Sequence, residues 1–120
     1  MEEYKIKFYI NSLTGRIELV DYLDSLQPKI SAKISKYIEY LRLHNGYLDE
    51  PYSKHIIDKI RELRVDFGRE KHRVFYFTII GKRIILLNAF KKNTKKTPQT
   101  EIDKAIKNYH DVLNNLQLYD

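Results

Sequence analysis

Ile60-Arg-Glu-Leu-Arg-Val-Asp-Phe67, His72-Arg-Val-Phe-Tyr-Phe-Thr-Ile79 and Arg83-Ile-Ile-Leu-Leu-Asn-Ala-Phe-Lys-Lys92, followed by Thr97-Pro98, decide the fold of this chain. The runs are rich in β-branched and aromatic residues and are bounded by turn formers, the pattern of three consecutive strands. Gly68-Arg-Glu-Lys71 joins the first two. Gly81-Lys82 joins the last two, since glycine at the first central position suits a hairpin turn that follows strand twist. A three-stranded antiparallel sheet results. Between Arg61 and Pro98 eleven bases stand against three acids, a net of +8 in a chain whose total is +6, so the remainder carries −2. The positive charge is concentrated on the sheet.

Outward from this sheet, Tyr4, Ile6, Phe8 and Ile10 alternate with Lys5, Lys7 and Tyr9, which predicts an edge or partner strand. Turn formers at Asn11-Ser-Leu-Thr-Gly15 end it. Ile17, Val20 and Leu23 then recur at helical spacing over about residues 16–25. Pro28 lacks the amide hydrogen a helix interior needs but fits a first turn, so it opens a second helix. That helix carries an apolar stripe of Ile30, Ile34, Ile38 and Leu41 and stops at Gly46. Its short connection to the first predicts an antiparallel helical hairpin. Residues 47–59 have no clear period. Thr97 as N-cap and Pro98 at the first helical position start a third helix, which continues through Ile102, Ala105, Ile106, Tyr109, Leu113 and Leu116. The order strand, helix, helix, three strands, helix predicts a small α+β domain with an antiparallel-rich sheet packed on helices and partly open on another face.

The length of 120 residues suits a single domain, 1–120, with its own core, and no repeat or linker interrupts it. No stretch approaches the roughly 18 consecutive apolar residues of a membrane span. Met1-Glu-Glu-Tyr4 lacks a basic start followed by an apolar run, so no secretory signal is expected. The absence of cysteine excludes disulfides and thiolate metal sites and is compatible with a cytoplasmic location. A pI near 9.4 with clustered bases favours a polyanionic partner such as nucleic acid.

The four histidines, His44, His55, His72 and His110, have neither the helical pair spacing nor the carboxylate pattern of a zinc site, and no metal or cofactor is expected. Glycine-rich phosphate loops, nucleophile elbows and cysteine nucleophiles are absent. Guanidinium, ammonium and phenol groups remain. They suffice for attack of an RNA 2′-hydroxyl on its own neighbouring phosphate, which needs orientation, charge stabilisation and proton transfer but no outside nucleophile. Arginine matches the developing phosphorane charge, and a lysine crowded by other cations can carry a proton. Strand parity puts Glu62, Arg64 and Asp66 on one side and Leu63, Val65 and Phe67 on the other, the core side. Arg73 shares parity with Phe75 and Phe77, which sets it at the rim of an aromatic face. The alternative is structural: Arg64 pairs with Glu62 or Asp66, and the Arg73 stem covers aromatic surface. Tyr47, Tyr52 and Tyr76 can stack on bases or fill a core. His55 and His72 can act as acid or base near neutral pH.

Glu62-Leu-Arg-Val65, Arg73-Val-Phe-Tyr-Phe77, Ala89-Phe-Lys-Lys92, Lys96-Thr-Pro98 and Glu101-Ile-x-x-Ala105, in this order and spacing, resemble the phage-derived HigB-like branch of the RelE/HigB toxin superfamily. The helix ending in Gly46, the segment with Pro51 and Lys54, and the element order fit as well, so the resemblance covers nearly the whole chain. It implies a RelE-like fold and the toxin of a type II toxin–antitoxin pair, an mRNA interferase cutting translated messages on the ribosome without a metal. It also implies a helix-turn-helix, HigA-like antitoxin, with operator DNA reached only through that antitoxin, and no membrane partner. Carried over by position, Arg64 and Arg73 would hold the scissile phosphate and Lys91 or Lys92 would assist proton transfer or charge stabilisation. Lys54, His55, Lys95 and Lys96 would bind RNA or ribosomal backbone. One departure stands out: some relatives use a tyrosine near the final helix, and none lies between Phe77 and Tyr109. Lys91, Lys92, Glu62 and His55 therefore all stay open as the base.

Two other readings fit the same residues. A non-catalytic basic module can regulate by occupying RNA or an acidic antitoxin segment, and a defunct toxin can persist inside a DNA-bound repressor complex. New 5′-hydroxyl ends in messages separate the enzyme from both.

Overall fold

The computed structural model describes residues 3–120. It contains β1 (Lys5–Phe8), α1 (Glu18–Asp24), α2 (Pro28–Leu43), β2 (Ser53–Ile57), β3 (Ile60–Phe67), β4 (Glu70–Ile79), β5 (Arg83–Lys91) and α3 (Gln99–Leu113), then a 3-10 turn at Leu116–Tyr119. The result is an α+β domain of three helices and one mixed sheet, consistent with a RelE-like fold. The sheet runs β1-β5-β4-β3-β2, with β1 parallel to β5 and every other pair antiparallel.

Alternation along the central strands sorts their side chains between two cores. Leu63, Val65, Val74, Tyr76, Ile84 and Leu86 meet the Ile30, Ile34, Ile38 and Leu41 stripe of α2 and Leu19 of α1. On the other face Phe75, Phe77, Ile85, Leu87 and Phe90 meet Ala105 and Val112 of α3, with Tyr9 and Tyr119. This second face is covered over β4 and β5, while Arg64 and Asp66 of β3 keep access to solvent. Instead of packing chiefly as a hairpin, α1 makes its main contacts with β5 and α2 with β3.

Several boundaries differ from the expectation for physical reasons. Ser53–Ile57 forms the edge strand β2, whose bulge between His55 and Ile57 puts Lys54 and His55 both in solvent and erases the period. Phe67 pairs with Glu70, so the first hairpin is the two-residue turn Gly68-Arg69, with φ +60° at Gly68. The second connection holds three residues, Ile80, Gly81 and Lys82, because Ile79 pairs with Arg83. At the end of α2, Gly46 adopts φ +83° and its amide donates to the Leu41 carbonyl at 2.9 Å. A Cβ there would run into the Thr78 hydroxyl. Pro98, not Thr97, occupies the N-cap of α3, and its carbonyl receives the amides of Glu101 and Ile102.

Candidate active site

The β3–β4 register pairs Arg64 directly with Arg73, so both guanidinium stems leave the sheet on the same face. Between them lies Glu62, which is fully buried rather than solvated as parity with Arg64 suggested. Its Oε1 accepts from Arg64 Nε at 3.1 Å and lies 3.8 Å from Arg73 Nε. Its Oε2 accepts from the Thr97 hydroxyl at 2.9 Å. That bond explains why Thr97 does not cap α3: its hydroxyl ties the β5–α3 loop to the buried carboxylate. Arg73 Nη1 donates to Asp66 Oδ1 at 2.8 Å and to the His72 carbonyl at 3.0 Å, while its buried Nε has no hydrogen-bond partner. The paired alternative read from the sequence therefore describes how Arg64 is held, whereas the pairing of Arg73 with Asp66 was not part of it.

A bulge decides which lysine joins them. On β5, Phe75 pairs with Asn88 but Tyr76 pairs with Leu86, so Leu87 is an extra residue. Leu87 and Asn88 both face α3, and the alternation restarts one step out of phase. Phe90 pairs with Arg73 and Lys91 with His72, and the Lys92 amide donates to the Lys71 carbonyl at 2.7 Å. Lys92 thus shares the face of Arg73. Burial, followed by the charge of Arg73 and those of Arg64 and Lys71, lowers the pKa of its ammonium from the usual 10.5, against an opposing pull from Glu62. Lys91 lies on the opposite face. Its Nζ is 3.3 Å from Glu70 Oε1, which is also 3.3 Å from His72 Nε2, and the Tyr22 hydroxyl meets His72 Nδ1 at 2.6 Å. Burial is the main cause that lowers the pKa of the His72 ring below 6.5.

Of the flanking residues, Lys54 pairs with Glu62 and so stands, exposed, on the face of Arg64. His55 pairs with Arg61 on the other face, and its Nε2 donates to the Asp58 carbonyl at 2.6 Å. Lys95 and Lys96 are exposed in the loop that runs from Lys92 to Thr97, at the border of the site. The structure thus gathers Arg64, Arg73, Lys92 and Lys54 on one face and leaves Lys91 and His55 on the other.

A cavity of about 170 Å³ at the edge of β3 is lined by Arg64, Arg73, Asp66, Lys33, Tyr37 and Tyr52, with Pro51. Lys33 also donates to the Asp66 carbonyl. Lys33, Tyr37 and Tyr52 were not singled out for this cavity by their sequence positions: the docking of α2 against β3 brings Lys33 and Tyr37 there, and Tyr52 arrives because its carbonyl accepts the Arg64 amide at 2.9 Å. Two phenols therefore border the arginines although no tyrosine lies between Phe77 and Tyr109. Forked donors, a lysine of lowered pKa and phenols suit an anionic ligand with a proton to move. Among the described residues no group of three or more His, Cys, Asp or Glu could hold a metal ion, and no helix is long and apolar enough to cross a membrane.

The family model described as phage derived protein Gp49-like (DUF891) matches residues 21–110, which span α2, β2–β5 and most of α1 and α3. No curated protein matches the chain. The matched segment contains Arg64, Arg73, Lys92 and the whole cavity around them, and on that match the chain belongs to the phage-derived Gp49-like family, a toxin-like family related to the RelE/HigB toxins.

Proposed function

We propose that this chain is the toxin of a type II toxin–antitoxin pair of the HigB-like branch and that it cleaves mRNA on the ribosome, without a metal. One observation carries the reading: Arg64 and Arg73 are register partners, and the β5 bulge adds Lys92 to their face beside an open cavity. In this reaction the 2′-oxygen bonds to the adjacent phosphorus and the bond to the 5′-oxygen breaks. A 2′,3′-cyclic phosphate and a 5′-hydroxyl result. The guanidinium groups offset the charge that builds on the phosphoryl oxygens. Lys92 delivers the proton to the departing 5′-oxygen, a role favoured by a pKa below that of a free lysine. The 2′-proton passes to the carboxylate of Asp66, which lines the cavity with both arginines. Lys54, Lys95 and Lys96 hold the backbone electrostatically. A helix-turn-helix antitoxin in the cytoplasm holds the toxin inactive and links it to operator DNA.

The test is induced expression with mapping of 5′-hydroxyl ends in translated messages. New ends that vanish in Arg73→Ala and Lys92→Ala, with folding retained, support the enzyme. A second reading has its own observation: Arg73 is only 6% exposed and already bound to Asp66. Such a brace suits a module that acts by occupying RNA or an acidic antitoxin segment. Growth arrest with no new ends favours it.

A further inference from the structure

Beside the arginine cavity lies a larger groove of about 520 Å³ whose walls are Tyr37, Tyr40, Tyr47 and Tyr52, with His44 and Asp49 at its margin. Three of these rings are strongly exposed: Tyr40 at 40%, Tyr47 at 55% and Tyr52 at 50%. Core packing does not account for them. The Tyr37 ring sits 5.8 Å from that of Tyr40 and 6.1 Å from that of Tyr52, edge-on to the latter. Cations stand over three of the four: Lys33 lies 5.6 Å from the Tyr37 centroid, Lys36 5.7 Å from Tyr40 and Arg61 4.8 Å from Tyr47. Exposed aromatic faces interleaved with cations are what an unpaired base and its phosphates need from a protein, because every base has a π-face and every linkage a charge. Tyr37 and Tyr52 line both cavities, so groove and arginine site are continuous.

We infer that this tyrosine groove is a stacking subsite for an unpaired RNA base next to the phosphate held at Arg64 and Arg73. The inference rests on the proposed function and adds a substrate feature: the RNA is single-stranded on that side, with a base turned out of its stack. Asp49 offers an acceptor to the N–H edge of the base and disfavours a phosphate in the groove. Lys33 and Lys36 follow the backbone along α2.

The test uses a short single-stranded RNA with a 2′-O-methyl group at the cleavage position and 2-aminopurine beside it, free and in the message of a programmed ribosome. Stacking quenches 2-aminopurine. Wild type is expected to quench it, and Tyr47→Ala with Tyr40→Ala to abolish the quench and weaken binding by about ten-fold or more. The corresponding phenylalanine variants retain both. These rings are exposed, so their truncation leaves the core intact. An abasic spacer bound as tightly as the base, or no quench in either setting, overturns the subsite. Tyrosine variants that bind RNA normally but lose a co-purified antitoxin also overturn it and assign the groove to a protein. The same RNA with a free 2′-hydroxyl, if quenched yet never cut on the ribosome, defeats the nuclease reading alone, whereas cutting of it that is insensitive to the tyrosines defeats only the groove.

Discussion

Lys91 and Lys92 are adjacent and equally charged; alternation sends them to opposite faces, and the β5 bulge decides that Lys92 is the one on the face of Arg73. Replacing each by methionine separates register from charge. Lys92 is partly buried and electrostatically coupled to Arg73 and Arg64, so on the proposed mechanism its loss removes the acid that protonates the departing 5′-oxygen. Removing a positioned general acid costs about 10²–10⁴ in rate. Lys91 forms a half-exposed pair with Glu70 on the far face, a contact worth roughly 0–1 kcal/mol of stability and nothing in the reaction. Lys92→Met is therefore expected to slow message cleavage by at least about 100-fold, and Lys91→Met to leave it within about two-fold because it touches only a surface ion pair. The measure is single-turnover cleavage of a programmed ribosomal message, with unfolding midpoints for both variants. The pH profile adds a second arm. Because the proposed role of Lys92 needs it protonated and its pKa is lowered, the wild-type rate is expected to fall on the alkaline side below pH 10.5. Lys92→Arg removes that alkaline fall. Equal losses in the two methionine variants, or a larger loss at Lys91, would refute the assignment of faces to function.

Glu62→Gln removes the charge between two arginines while keeping an acceptor for Thr97, and it is expected to cost about 3–5 kcal/mol of stability, because Arg73 is left buried with only Asp66 as an ionic partner. Adding Arg73→Met to that variant recovers part of the loss in urea unfolding, and a further loss from the second change would contradict the pairing. For His72 the folded pKa lies below the unfolded 6.5, so the unfolded chain binds more protons in that window and stability falls as pH drops below about 6.5. His72→Asn flattens this slope in unfolding midpoints measured from about pH 7 to about pH 5; an unchanged slope assigns it to other groups. Gly46→Ala forces a side chain into a left-handed backbone and against Thr78, an expected cost of about 1–3 kcal/mol, and a variant with an unchanged melting temperature counts against that geometry.

What could be read from the chain was whatever obeys a simple period. The three central strands, the α2 stripe and the alternation of β1 are visible because one buried face imposes a repeat on each. Arg73 stood out because it shares parity with Phe75 and Phe77. The misses arose where the period breaks or contacts are non-local. Leu87 shifts β5 by one step, and the strand is apolar on both faces around it apart from Asn88, so no regular change of pattern marks the bulge. The bulge in β2 hid a strand in the same way. The burial of Glu62 was not legible, because alternation assigns it the face of Arg64 but cannot say that a loop and two arginines seal it. Tyr37 and Tyr52 meet across 15 positions of sequence, a proximity created by α2 lying against β3.

The buried carboxylate links these observations. An ionised Glu62 with no access to water needs compensation, and it receives hydrogen bonds on both oxygens from β3 and from the loop that carries Lys95 and Lys96. The same bonds fix the stem of Arg64 and tether the loop, while Asp66 and the His72 carbonyl hold Arg73 at the margin of the cavity, so substrate need not organise them on arrival. Arg73 Nε remains a buried donor without an acceptor. Such an orphan costs about 1–3 kcal/mol until an acceptor reaches it. The brace accepts that cost and sets Arg73 at the wall of the cavity beside Arg64, which is what the proposed anion site requires.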